Sequence, residues 1–423
     1  MKQVLIIGLG RSSSVLIEYF LEYSKVNNTK ITLLDQHQND YTKTIKNTSL
    51  CSLIFFDIYD EIKRRNEIKK SHLVISMLPP RFHTLIAKDC IYFKKNLITA
   101  SYVSDEMFLL DSEAKKANIL ILNEIGLDPG IDHISAMKII DSLNDSGANI
   151  LSFKSFCGGL IAPESSNNPW DYKFTWNPRN VVLAGKDGSK YLKDGSIKEL
   201  KYNEVFTNTE KITIPQYGDF ESYANRNSLN YIKKYNLENI NTLVRGTLRR
   251  PGFCPSWDVL VKSGLTSFDE IDMKSVKTKY EELINKNDNK LIQNNLEYLD
   301  LFNSDENIKF NSPGDFLQSK LEKKWALSKN DKDMIVMQHK FEYELNNINY
   351  RLTSSMVLIG SDDIKTAMAK TVGLPVFFAA KQILEDKTSL KGVKIPVHKE
   401  LYSPILKSLE DEGISFIDSI EEI

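Results

Sequence analysis

The chain has 423 residues, of which 41% are hydrophobic and 26% charged, and its formal net charge at pH 7 is -1. That length supports two or three domains and a large core without staples. The charge balance excludes a broad basic surface for nucleic acid, and no run of 18 apolar residues provides a membrane span. Cys51, Cys90, Cys157 and Cys254 show no paired metal spacing, so no metal is expected and a reduced, cytoplasmic chain is the simplest reading. Met1-Lys2-Gln3 runs straight into an apolar segment, which leaves no room for a signal peptide.

Val4-Leu5-Ile6-Ile7 reads as a buried parallel strand. Gly8-Leu9-Gly10-Arg11-Ser12-Ser13 follows, then a helix from about Ser14 to Tyr23. Gly8 allows a tight turn and Gly10 lets a pyrophosphate approach the backbone at a helix start. Ser13 stands where the dinucleotide fingerprint has a third glycine, and is small enough for close packing. Lys30 to Asp35 reads as the second strand and ends in an acid placed to accept hydrogen bonds from an adenosine ribose. Asp35 would repel a 2′-phosphate, and Gln36, His37 and Gln38 supply no arginine, so NAD is expected over NADP.

Strands are expected at Leu53–Asp57, His72–Pro80, Leu97–Tyr102 and Ile119–Leu122, with helices near Phe82–Phe93 and Ser104–Ala117. The alternation makes an α/β doubly wound sheet, a Rossmann dinucleotide-binding domain over residues 1 to about 125. Gly8, Gly10, Arg11, Ser12, Ser13, Asp35, Asp57 and Leu78 are its candidate cofactor-binding residues. Asp57 is placed either towards the adenine or at a helix N-cap.

The run Leu122-Asn123-Glu124-Ile125-Gly126-Leu127-Asp128-Pro129-Gly130-Ile131-Asp132-His133 packs two glycines, a proline, three carboxylates besides Asn123, and an imidazole into twelve positions. It joins an apolar strand to an amphipathic helix, in which Ala136, Ile139, Ile140 and Leu143 share a face. Such strand-to-helix loops sit at the carboxyl edge of the sheet, where ligands bind. His133 reads as a structural residue at the helix start.

Beyond it the texture changes to a mixed α+β domain, for substrate and dimerisation, spanning about 126–255 and 330–362. Leu151–Phe156 and Thr242–Arg250 read as strands, Val181–Ala184 and Ser196–Tyr202 continue the mixed domain, and Ser222–Ser228 reads as a polar loop. Residues 256–329 read as a small helical insertion. Strands return at Asp333–Met337, Phe341–Leu345 and Tyr350–Ile359. A helix from Asp363 to about Leu384, kinked at Pro375, opens a segment of about 363–423 that completes the first domain.

The central run resembles the signature of saccharopine dehydrogenases of the glutamate-forming type. Ser101-Tyr102-Val103-Ser104, Cys157-Gly158-Gly159, Pro163-Glu164-Ser165, Asn168-Pro169, Asn225-Arg226, Arg245-Gly246-Thr247-Leu248-Arg249 and Thr366 to Pro375 resemble further blocks of that family, in order. Ile161, Asn227 and Ser13 depart from its pattern. The resemblance implies oxidation of the secondary amine of saccharopine with hydride transfer to a nicotinamide. Hydrolysis of the resulting imine gives glutamate and 2-aminoadipate 6-semialdehyde. It implies Tyr102 and Asp128 as catalytic residues and Cys157, Arg226, Arg245 and Arg249 as substrate-binding residues, with NAD or NADP as cofactor. Guanidinium groups bind carboxylates in a bidentate fork. A small amino-acid substrate and a homodimer are expected. Two other readings are a carboxynorspermidine-type dehydrogenase, which would call for more acid and fewer arginines, and a dinucleotide-binding regulator without turnover.

Overall fold

The protein is described from a computed structural model, over residues 1–302 and 310–423. The part of the expected helical insertion at 303–309 lies outside the described residues. The fold divides into two units, one of residues 1–142 and 364–415, the other of 143–363 and 416–423. Among the described residues no helix is long and apolar enough to cross a membrane.

The first unit begins with β1 (Gln3–Ile7), α1 (Ser14–Asn27), β2 (Lys30–Asp35), β3 (Cys51–Phe55), α2 (Glu61–Lys70), β4 (Leu73–Ser76) and α3 (His83–Phe93). It continues with β5 (Asn96–Thr99), α4 (Asp105–Phe108), α5 (Asp111–Lys116), β6 (Leu120–Leu122) and α6 (Ile131–Asp145). Short apolar runs such as Val4 to Ile7 are buried because helices cover both faces of a parallel sheet. The helix expected over Ser104–Ala117 is two short ones, the first capped by Ser104, whose side chain accepts from the Met107 N–H.

The second unit carries β7 (Asn149–Ile161), α7 (Pro178–Val182), β8 (Ser189–Lys193), β9 (Ser196–Leu200), α8 (Tyr202–Val205), β10 (Thr209–Ile214), β11 (Gly218–Ala224), β12 (Arg226–Asn227) and α9 (Asn230–Lys234). Then come β13 (Thr242–Arg249), α10 (Phe253–Ser263), α11 (Met273–Asn285), α12 (Lys290–Leu299), α13 (Pro313–Lys324), β14 (Asp333–Leu345) and β15 (Ile348–Ile359). The chain ends with α14 (Ala367–Leu384), β16 (Gly392–Lys394), α15 (Lys399–Asp411) and β17 (Ile417–Glu422).

In the first unit, seven parallel strands run β16-β6-β5-β4-β1-β2-β3. The late strand β16 joins the edge beside β6, and α14 packs on α1. There Gly373 is required, because a Cβ would lie 2.8 Å from the Leu16 backbone nitrogen. Phe377 meets Phe20 edge to face at 5.1 Å. In the second unit the main path is β10-β11-β13-β7-β14-β15-β17, with β7 and β13 parallel. The long hairpin β14–β15 turns through Asn346 and Asn347, both at positive φ, as a tight two-residue hairpin requires. Its core holds an aromatic cluster of Trp170, Tyr172, Phe174, Phe253, Trp257 and Trp325.

Two stretches of the mixed domain take definite form, the second against the sequence expectation. Val181 and Val182 lie in helix α7, which starts because Asn177 caps it and Pro178 occupies its first position. Ser222, Tyr223 and Ala224 belong to strand β11, not to a polar loop. Ser222 is buried there, its hydroxyl donating to the Glu210 carbonyl across the β10–β11 pair. Downstream, α14 starts at Ala367 behind a Thr366 cap and continues through Pro375.

Candidate active site

All seven strands of the first sheet are parallel, so the loops after β1, β2, β4, β5 and β6 emerge at one carboxyl edge. The loop after β1 carries the residues expected to cradle a phosphate. Gly8 has φ +94°, and a Cβ on it would lie 2.9 Å from the Met77 carbonyl carbon at the end of β4. Gly10 is exposed, and a Cβ there would meet nothing within 4 Å, which leaves the backbone open to a ligand. Arg11 is exposed, Ser12 half-buried, and buried Ser13 donates its hydroxyl to the Gly10 carbonyl at 2.7 Å. These residues fit a dinucleotide pyrophosphate.

The end of β2, expected to face an adenosine, is acidic. Asp35 accepts the Leu9 N–H and the Gln36 N–H, both at 2.6 Å, so its carboxylate also fastens the glycine loop to the end of β2. Asp57 is exposed and accepts the Tyr59 N–H at 2.9 Å and the Gln36 amide at 3.4 Å. The N-cap of α2 is Asp60, so Asp57 is not the cap considered from sequence. Two carboxylates bracketing Gln36 do not fit a 2′-phosphate. Leu78 is half-buried beside the Gly8 turn.

Tyr102 and Asp128 meet. The tyrosine hydroxyl donates to Asp128 Oδ1 at 2.9 Å. The loop geometry explains it. Gly126 donates to the Pro129 carbonyl, Ile131 donates back to the Gly126 carbonyl, and Asp128–Pro129 is a cis bond. A Cβ on Gly130 would lie 2.0 Å from the Gly126 carbonyl oxygen, and one on Gly126 would lie 2.9 Å from Ala100 Cβ. Only glycine permits this closure and its approach to the β5 loop. Every residue of 121–137 is buried except Asp128, which is half-buried.

Two groups missed from sequence stand behind this pair. Glu124 accepts the Val103 N–H at 3.1 Å and contacts His133 Nε2 at 2.9 Å. His83 lies within 2.8–3.0 Å of the hydroxyls of Ser101, Ser76 and Thr99. Burial pushes its imidazole down to about 4, so it is neutral at physiological pH. A glutamate and a histidine were visible signals, but their partners are a backbone group, hydroxyls and an imidazole on other elements.

The second unit places the remaining candidates on or beside β13. Cys157 is buried in β7, in register with Thr247. Arg245 is buried, its guanidinium 4.2 Å over the Tyr231 ring. Its N–H donates to the Ser228 hydroxyl at 2.9 Å, and its carbonyl accepts the Asn225 N–H at 2.8 Å. These bonds lay the segment carrying Arg226 along β13. Arg226 itself is exposed, at φ +53°. Arg249 is 4% exposed, within 5.1–5.9 Å of the rings of Phe253, Tyr172 and Tyr223, and donates to the Leu248 carbonyl. It lies in the aromatic core, whereas Arg226 is open to solvent.

Comparison with known proteins gives the same picture along the chain. Residues 4–122 match the family model described as the saccharopine dehydrogenase NADP binding domain, and residues 126–414 the saccharopine dehydrogenase C-terminal domain. The chain is 33% identical to saccharopine dehydrogenase [NADP(+), L-glutamate-forming] of Saccharomyces cerevisiae, covering 97% of both chains. It is 34% identical to the Pyricularia oryzae protein of that name, over 85% of this chain and 86% of that one. It is 33% identical to mouse mitochondrial alpha-aminoadipic semialdehyde synthase, where 98% of this chain spans 47% of that protein. The solved apo structure of the S. cerevisiae saccharopine dehydrogenase (L-Glu forming) superposes with a TM-score of 0.88 over 100% of both chains, at 31% identity. The two fungal dehydrogenases carry NADP in their names, against the NAD expected from Asp35. Both halves of the sequence and the whole fold therefore lead to one conclusion: the chain belongs to the saccharopine dehydrogenase family.

Proposed function

We propose that the chain is a glutamate-forming saccharopine dehydrogenase, oxidising the secondary amine of saccharopine or running the reverse condensation. The observation that carries the reading is the 2.9 Å hydrogen bond between Tyr102 and Asp128 at the carboxyl edge of a sheet with an open phosphate cradle. A bound nicotinamide supplies the hydride acceptor. Removing a hydride from carbon and a proton from nitrogen leaves an imine. Water adds to it, the carbon–nitrogen bond breaks, and glutamate leaves an aldehyde behind. Each step moves a proton at nitrogen or water, and the Tyr102–Asp128 pair is assigned to hold and return it. Arg245 and Arg226 are assigned to substrate carboxylates, and Cys157 to the lining of that site. Arg249 is assigned to substrate binding with them.

The relatives' names support NADP as cofactor. One observation favours NAD: Asp35 and Asp57 bracket Gln36 where a 2′-phosphate would sit. Fluorescence titration with NADH and NADPH decides between them. The test of the whole reading is an assay with saccharopine and carboxynorspermidine side by side, with both dinucleotides. Saccharopine-dependent reduction with release of glutamate is expected. Turnover of carboxynorspermidine alone, or of neither, overturns the proposal.

A further inference from the structure

We propose that Glu124, paired with His133, is a positioning residue that sets Tyr102 against Asp128. This rests on the assignment of those two side chains to proton transfer. Glu124 is 1% exposed and His133 0%. Glu124 grips both residues that flank Tyr102. Its N–H donates to the Ser101 carbonyl at 3.0 Å, and its Oε1 accepts the Val103 N–H at 3.1 Å. Its Oε2 lies 2.9 Å from His133 Nε2, on the helix that follows the Asp128 loop. The other imidazole nitrogen is 3.5 Å from Asp132, which accepts the Gly130 N–H at 2.6 Å and so ties the pair into that loop. One carboxylate thus spans from the Tyr102 segment to the Asp128 segment. On the far side, Ser101 is held by His83 at 2.8 Å.

A structural account alone leaves two features unexplained. A buried carboxylate loses its hydration, and an apolar side chain would fill the same space without that loss. Glu124 also holds φ +56°, a backbone conformation that strains a residue with a side chain. Both are retained at the point where a small displacement would separate the tyrosine hydroxyl from its acceptor. Catalytic geometry is that sensitive, since a shift of about 1 Å can cost on the order of a hundredfold in rate.

The test uses the full chain and steady-state kinetics with saccharopine, with dinucleotide affinity measured by fluorescence. Glu124→Gln and His133→Ala are each expected to lower kcat by about tenfold or more, with KM and dinucleotide Kd within about twofold. His133→Gln, which restores a nitrogen near the Nε2 position, is expected to recover part of the loss. In a Tyr102→Phe background the same changes are expected to add almost nothing, because they act through the missing hydroxyl. Should one of the variants not fold, the other carries the comparison. Wild-type kcat in Glu124→Gln and His133→Ala, or losses that multiply fully with Tyr102→Phe, overturns the role. If Tyr102→Phe itself turns over like wild type, the proton-transfer assignment falls and takes this inference with it. A slow Tyr102→Phe with multiplying losses removes the inference alone.

Discussion

Sequence separation of 26 positions between Tyr102 and Asp128 closes to 2.9 Å because two loops leave neighbouring parallel strands at the same edge. Tyr102→Phe and Asp128→Asn should therefore reduce kcat about a hundredfold or more, the range of general acid–base contributions, with little change in KM. Arg245 differs in kind. It is buried over Tyr231, and its backbone is anchored on both sides by the 225–228 segment. Arg245→Ala should raise KM for saccharopine by an amount equivalent to about 2–5 kcal/mol, leaving dinucleotide affinity nearly constant. Exposed Arg226 should cost less when removed. Steady-state kinetics on both variants checks the order, and wild-type-like KM in both sinks the carboxylate assignment. Asp35→Ser should move the NADPH-to-NADH affinity ratio upward by about tenfold, as one repulsive charge is lost. Both affinities should also fall, since the Leu9 N–H loses its acceptor. An unchanged ratio in fluorescence titration contradicts this. These positions were legible as residues, because acids, glycines and arginines in short runs are unusual. Their bonds were not, since Leu9, Val103 and Ser101 contribute backbone groups that no side-chain pattern records.

The element most readable from the sequence was the βα loop, where chemistry and geometry demand the same residues. Gly8 and Gly10 illustrate two different demands. A methyl group at Gly8 meets the end of β4, whereas one at Gly10 meets no protein atom. Gly10→Ala should thus keep stability within about 0.5 kcal/mol, as an ordinary surface change does, while weakening dinucleotide binding. Gly130→Ala should instead cost about 3 kcal/mol or more, because its Cβ would overlap the Gly126 backbone and its φ is +149°. Urea unfolding of the two variants distinguishes a ligand-facing glycine from a packing one. Equal destabilisation in both would refute the distinction. Less readable were α7 and β11. Val181-Val182 is too short to show a period, and a Pro and an Asn cap set the helix. Ser222 looks like a loop residue until its hydroxyl is seen bonded across the sheet.

At the scale of the molecule, the late helix near Thr366 was the sequence signal for the return of the C-terminal segment, whereas the strand that joins the first sheet, Gly392–Lys394, is too short to show a period. The α/β class, by contrast, followed directly from repeated apolar runs alternating with helices. Buried His83 makes a testable contribution to acid stability. Its imidazole is held neutral down to about 4 in the fold, against 6.5 when unfolded. Between those values the unfolded chain binds a proton that the fold excludes. Stability from this group is therefore intact above 6.5 and lost as pH falls towards 4, at about 1.4 kcal/mol per pH unit. The stability gap between wild type and His83→Gln, read from urea unfolding, should be larger at pH 7 than at pH 4.5. An equal gap at both contradicts the shifted imidazole. The central claim is that this chain oxidises saccharopine through the Tyr102–Asp128 pair. Its most direct test is the initial rate of reduced dinucleotide formation with saturating saccharopine, compared between wild type and Asp128→Asn. The account predicts rapid turnover with glutamate release in wild type and a loss of about a hundredfold or more in the variant. A wild-type chain silent on saccharopine, or an Asp128→Asn variant as fast as wild type, would contradict it.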